Sequence, residues 1–204
     1  MTDFTARYLS DYQSPDFTIT SINLTFDLSD NKTIVTSVLT VERINKMQQA
    51  LVLTGENLQL ISVHFNDNEL MATDYYVNDS QLEIPADDNN FILTIVTEID
   101  PLENTALEGL FKSGDAFCTQ CEAEGFRCIT YYLDRPDVMA IFTTKVIADK
   151  KQYPYLLSNG NKVAQGDLEN GKHFTTWHDP FPKPCYLFAL VAGVFDLLED
   201  KFTT

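Results

Sequence analysis

The chain has 204 residues, 44% of them hydrophobic and 22% charged, which is enough for one large folded domain and unlike the composition of a disordered chain. Thirty Asp and Glu against 14 Lys and Arg leave a net charge of −16, a surface that repels phosphate backbones and anionic lipid and so argues against nucleic-acid and membrane-surface roles. No apolar run approaches the roughly 18 residues of a membrane span. MTDFTARYLSDYQSPDF lacks the basic start and apolar stretch of a secretory signal, and four cysteines make no dense disulfide framework, so a reducing cytoplasm is the expected location.

Period-two alternation dominates the first half of the chain. In SINLTFDLSD the residues Ile22, Leu24, Phe26 and Leu28 fall on one face, with Asn23, Thr25 and Asp27 on the other. Asp30-Asn31 then supplies turn chemistry and KTIVTSVLTVERI resumes with β-branched residues, which predicts a β-hairpin. ALVLTG, NLQLISVHFND, ELMATDYYVN, QLEIP and FILTIVTEI follow as further strand candidates, most of them separated by Asn, Asp, Gly or Pro.

The second half continues with AIFTTKVIADK, YPYLLSNG, KVAQGDLEN, KHFTTWHDP and CYLFALVAG. One short helix is expected at Asp134-Arg-Pro-Asp137, with Asp134 as cap and Pro136 in the first turn. The fold class expected is all-β, a mostly antiparallel sandwich of two packed sheets over residues 1–193. The segment 194–204 reads as one more strand with no closing element after it, which suggests a fragment of something longer.

Chemistry-bearing residues are sparse. His64 shares a strand face with Ser62 and Asn66, opposite Ile61, Val63 and Phe65, and is expected on the polar face. His173 and His178, five apart in a strand, should point to opposite faces. The zinc-peptidase pattern H-E-x-x-H is absent, as are a nucleophile elbow and a phosphate loop, so no catalytic residue is assigned.

The stretch CTQCEAEGFRC holds three of the four cysteines in the spacing C-x2-C-x6-C. Cys118 and Cys121 could form one arm of a metal site, with Cys128 and the distant Cys185 completing it, but a structural zinc site usually has a second paired arm. The alternative is that the thiols fill space and the polar residues between them act. Gln120 and Glu122 are two apart, so in an extended segment their side chains share a face, a carboxylate beside an amide oxygen suited to an ammonium group.

At this point a family resemblance enters. The run NTALEGLFKSGDAFCTQCEAEGFRCITYYLDRPDVMAIFTTKVIADKKQYPYLLSNGN resembles the bacterial aminopeptidase N family, zinc alanyl aminopeptidases of the gluzincin class. SPDFTITSINLTFDLS and DPFPKPCYLFALVAG match the same family's N-terminal region, and the resemblance runs from about Tyr8 to Thr204. It implies a saddle-like N-terminal β domain, with a thermolysin-like catalytic domain of the same polypeptide beginning near Gly193. The zinc and its H-E-x-x-H helix would then lie beyond residue 204. The resemblance further implies that the glutamate of C-T-Q-C-E-A-E-G, here Glu122, binds the α-amine at the N-terminus of a peptide substrate, with Gln120 assisting. Cys128 departs from the pattern, which has a basic residue or His after G-F-R, so the third thiol reads as a local substitution rather than a zinc ligand. The chain alone is expected neither to hydrolyse peptides nor to hold zinc. Two other readings stand beside this one: a stand-alone β-sandwich binding module and a cysteine-based metal-binding domain.

Overall fold

A computed structural model describes residues 8–45 and 50–201. In chain order the strands are β1 (Phe17–Asp27), β2 (Thr33–Arg43), β3 (Ala50–Thr54), β4 (Gln59–Phe65), β5 (Asn68–Glu69), β6 (Tyr76–Val77), β7 (Gln81–Pro85) and β8 (Asn90–Ile99). They continue as β9 (Gly109–Ser113), β10 (Ala116–Gln120), β11 (Met139–Asp149), β12 (Tyr155–Ser158), β13 (Asn161–Asp167), β14 (Lys172–Pro184) and β15 (Leu190–Gly193). The all-β class and the largely antiparallel pairing are as the sequence predicts.

The strands form three sheets rather than the two expected: an eight-stranded sheet in the order β13-β14-β11-β1-β2-β8-β4-β5, a four-stranded sheet β12-β15-β10-β9, and a three-stranded sheet β3-β7-β6. Within the large sheet β1 and β11 run parallel. The predicted β1–β2 hairpin is present, and Ile22, Leu24, Phe26 and Leu28 are all buried on its inner face. A bulge between Ile19 and Ser21 lets Ile19 and Ile22 share that face although they are three apart.

The same device corrects a sequence expectation on β4. A register shift between Leu60 and Ser62 turns Ile61 outward, half exposed, while Val63 stays buried. ELMATDYYVN is mostly irregular, contributing only Glu69 of β5 and the two-residue strand β6. Residues 194–201 carry no strand, and 202–204 lie outside the described residues.

The expected helix at Asp134 does not form. Arg135 to Val138 make a turn closed by Val138 N–H to the Arg135 carbonyl at 3.3 Å, with Pro136 at its second position. The Asp134 carboxylate is already engaged elsewhere, as described below, and Arg135 instead pairs with Asp137 at 2.7 Å and reaches the Gln13 carbonyl at 2.8 Å. Helical backbone among the described residues is limited to four short 3-10 segments: Leu9–Asp11, Gly125–Cys128, Glu169–Gly171 and Cys185–Leu187.

One continuous core joins the three sheets. Its aromatic centre is Phe26, Phe126, Phe142, Phe188 and Tyr132, with Phe126 stacked edge-on against Tyr132 at 4.9 Å, Phe188 at 5.4 Å and Phe142 at 6.0 Å. The β9–β10 hairpin is held at its turn end by Lys112, whose ammonium donates to the Tyr153 hydroxyl at 2.6 Å and to Asp30 at 3.2 Å. That tie fixes the strand whose other end, Gln120, opens the candidate site. Phe26 is fully buried and stacked on Phe188, so Phe26→Ala should lower unfolding free energy by about 3–5 kcal/mol, measurable by urea denaturation.

Candidate amine-binding site

The stretch that holds Gln120 and Glu122 begins where β10 runs out. Cys121 is buried, residues 122–124 form a turn, and a 3-10 segment carries Gly125 and Phe126 back into the core. Gly125 N–H closes the turn onto the Cys121 carbonyl at 2.9 Å. The peptide bond between Glu122 and Ala123 is cis. Only glycine fits at 125: a Cβ there would stand 2.5 Å from the Gln120 carbonyl oxygen and 3.1 Å from the Gly109 nitrogen.

Gln120 and Glu122 are brought together, but not by strand alternation, because the strand has ended at Gln120. The Gln120 amide donates to the Glu122 backbone carbonyl at 3.2 Å, so the two residues meet across the start of the turn. Both are exposed. Among the described residues no hydrogen bond or ion pair engages the Glu122 carboxylate.

Three neighbouring carboxylates are not free in this way. Arg127 pairs with Glu124 at 3.3 Å and with Glu56 at 3.7 Å. Its Nε and its backbone N–H both donate to one oxygen of Asp134 at 3.1 Å. The Asp134 side chain is 2% exposed, and its other oxygen accepts the Cys185 thiol at 3.0 Å. Burial opposes the charge on Arg127, but the hydrogen bond and charge of Asp134, then the charges of Glu124 and Glu56, outweigh it and raise its pKa.

Sequence spacing gives no signal for this pair, since residues seven apart meet by no regular period. The β9–β10 hairpin did leave one: FKSGDAF sets Gly114, at φ +59°, between two short runs.

The four cysteines are all unpaired thiols. Burial pushes Cys121 and Cys185 well above the ordinary thiol range, with the nearby Asp134 charge adding to it. Cys128 is pushed up to about 11 by burial and then by Glu56 and Glu108. Burial raises Cys118 as well. Metal ligation uses the thiolate, and this environment resists thiolates. No group of three or more His, Cys, Asp or Glu among the described residues is arranged to hold a metal ion.

Two of the three histidines are occupied elsewhere. His173 Nε2 meets the Tyr153 carbonyl at 2.8 Å and His178 Nδ1 the Thr143 hydroxyl at 3.0 Å, at positions of opposite parity on β14. His64 is half-buried rather than on an open polar face, and its Nδ1 is buried without a partner among the described residues.

The exposed turn thus sits at the end of β10 in an all-β fold of three sheets. Residues 11–187 match the Peptidase M1 N-terminal domain family, and the chain belongs to it. It is 60% identical over 199 residues to aminopeptidase N of Escherichia coli and 52% identical over 202 residues to aminopeptidase N of Haemophilus influenzae. Each alignment covers 98% of this chain and 23% of the relative, so the chain spans less than a quarter of the length of the curated relatives it matches.

Among solved structures it superposes on Legionella pneumophila aminopeptidase A in complex with aspartic acid, with TM-score 0.86 and 37% identity over 92% of this chain and 22% of that one. An M1 zinc metallopeptidase of Deinococcus radiodurans shares the fold at TM-score 0.74 and 17% identity, covering 87% of this chain and 42% of that one.

Two outcomes follow from the turn. Gly125→Ala should cost about 1–3 kcal/mol of stability, because the new methyl meets backbone rather than a movable side chain. For Cys128 the folded state keeps its proton to higher pH than the unfolded chain, whose thiol titrates near about 8.5. Its contribution to stability is therefore full below about pH 8.5 and is lost as pH rises toward about 11. Melting temperatures across this window should fall less steeply in Cys128→Ser than in the unaltered protein.

Proposed function

We propose that this chain is the amine-recognising β domain of a zinc aminopeptidase that removes N-terminal residues from peptides, and that it performs no hydrolysis alone. In this reading residues 1–193 form the domain and 194–204 lead into the catalytic domain of the same polypeptide. The family membership and the relatives, about four times longer, support that division. Its four unpaired thiols suit a reducing cytoplasm.

One observation carries the reading. Of the carboxylates around the turn, Glu56, Glu124 and Asp134 are committed to Arg127, whereas Glu122, like Glu108 beside Cys128, is exposed without a partner among the described residues, and of these two only Glu122 has the Gln120 amide bonded to its own backbone. A carboxylate in that state can accept a substrate ammonium without first breaking another contact. Gln120, spending its N–H on the Glu122 carbonyl, keeps its amide oxygen as a second acceptor. A charge-assisted hydrogen bond is worth about 1.5–3 kcal/mol, a preference of roughly 10- to 150-fold for a free N-terminus over an internal peptide bond.

The donors in this chain do not fit zinc, for the thiols are held protonated and no ligand cluster is formed among the described residues. The metal would be held outside this chain, where it supplies polarisation of the scissile carbonyl. What these residues do is bind the amine in the ground and transition states and so fix which peptide bond is presented.

In the full-length enzyme, Glu122→Gln keeps the shape and removes the charge, so kcat/KM on aminoacyl substrates should fall about 10-fold or more with folding unchanged. Gln120→Ala should cost less, since a neutral hydrogen bond is the weaker one. Glu124→Gln should also cost less, its charge being spent on Arg127. Cleavage by Glu122→Gln within about twofold of the unaltered enzyme, roughly 0.4 kcal/mol, would reduce the domain to a structural one.

A further inference from the structure

Glu122 stands at the tip of a turn, and nothing described grips its carboxylate. Its position is therefore only as definite as the turn behind it. Four features hold that turn. Cys121 is buried at its start, Gly125 is wedged beneath the Gln120 carbonyl, and Phe126 enters the aromatic core. The fourth is polar: Arg127, whose backbone and guanidinium both close on the buried Asp134, while the Arg127 carbonyl accepts the Glu56 N–H at 3.0 Å.

Asp134 is the fixed end of this linkage. It is far more buried than any other acid touching Arg127, with side-chain exposure of 2% against 46% for Glu56 and 62% for Glu124. The Cys185 thiol secures its second oxygen. The contact has a second consequence. Arg127 is the sole cationic side chain of residues 121–128. Committed to Asp134, it makes no ion pair with Glu122, and the carboxylate keeps its charge for a ligand.

We propose that Asp134, acting through Arg127, is a positioning residue that fixes the turn of residues 121–128 and sets where the Glu122 carboxylate stands. Its functional half rests on the reading of Glu122 as the amine acceptor. Asp134 touches no substrate in this scheme.

The test uses the full-length enzyme, with kinetics on an aminoacyl anilide and hydrogen exchange read by peptide. Asp134→Asn should raise KM about 10-fold with kcat within about threefold, and should speed exchange in residues 121–128 while β1, β2 and β8 keep their protection. In a Glu122→Gln background the same change should cost less than about twofold, because the acceptor it positions is already gone. Equal losses in both backgrounds, or unaltered exchange in 121–128, would overturn the proposal while leaving Glu122 as acceptor intact. A silent Glu122→Gln would instead sink the amine reading, and exchange alone would then decide whether Asp134 fixes the turn. Should Asp134→Asn fail to fold, Arg127→Lys carries the same measurements, since it keeps the charge but cannot reproduce the paired contact of guanidinium Nε and backbone N–H, and an intermediate rise in KM is expected.

Discussion

A chain that crosses a sheet face without being a strand has to find partners for its own polar groups, and residues 121–134 live under that constraint. Buried backbone N–H and C=O groups left unpaired cost about as much as a lost hydrogen bond each. The large sheet meets the demand with side chains that look out of place on an apolar face. Ser37 of β2 shares a hydrogen bond with the Thr130 hydroxyl at 2.9 Å, and Thr97 of β8 donates to the Ile129 carbonyl at 3.1 Å. Thr54 pairs with Tyr132 through both backbones, at 2.9 and 3.0 Å. These ties fall between Arg127 and Asp134, a pair nearly dry on the acid side. Removing one partner of such a pair leaves an uncompensated buried charge, typically costing about 3–5 kcal/mol. These contacts satisfy polar groups of the irregular path as a strand's ladder would, and the turn that carries Glu122 leads directly into it.

Strands with one buried face were legible because period two is a physical requirement, not a preference. Ile22, Leu24, Phe26 and Leu28 are buried because each alternate side chain of β1 faces the core. The rule fails where the backbone breaks step. Ile61 looks inward in the sequence and faces outward after the β4 bulge, and no residue type in QLIS announces that shift. Asp134-Arg-Pro-Asp137 carries genuine helix-start chemistry, yet the same carboxylate that could cap a helix is worth more to a buried guanidinium seven residues back. Local propensity lost to a tertiary contact invisible in local sequence.

Gln120 and Glu122 do meet, but the rule that predicts it does not apply to them. Alternation places Gln120 and Glu122 on one face only if the segment is extended, and the strand stops at the first of them. What joins them is a side-chain-to-backbone hydrogen bond across a turn, a contact that polar residues make readily at strand ends. The cysteine spacing misleads in the opposite direction. C-x2-C-x6-C looks like a metal knuckle on paper, but Cys121 sits in the core, Cys185 donates to Asp134, and Cys128 lies against Gly109 on the side of Glu56 and Glu108. Placing thiols among carboxylates and apolar side chains keeps them neutral, and neutral thiols are small packing groups.

Charge acts at two ranges in this molecule, and only one can select. A net charge of −16 draws any cation toward the surface. At physiological ionic strength that field is screened over about 8 Å, and it treats a lysine side chain and a peptide N-terminus alike. Discrimination requires a carboxylate at a fixed distance from the bond to be cut, because an ammonium displaced by one residue must then leave the charge unsatisfied. In the proposed amine site the work of selection therefore falls on the turn of residues 120–128 rather than on the acidity of the surface. On that proposal the exposed Glu122 would depend on a buried Asp134 that no ligand meets.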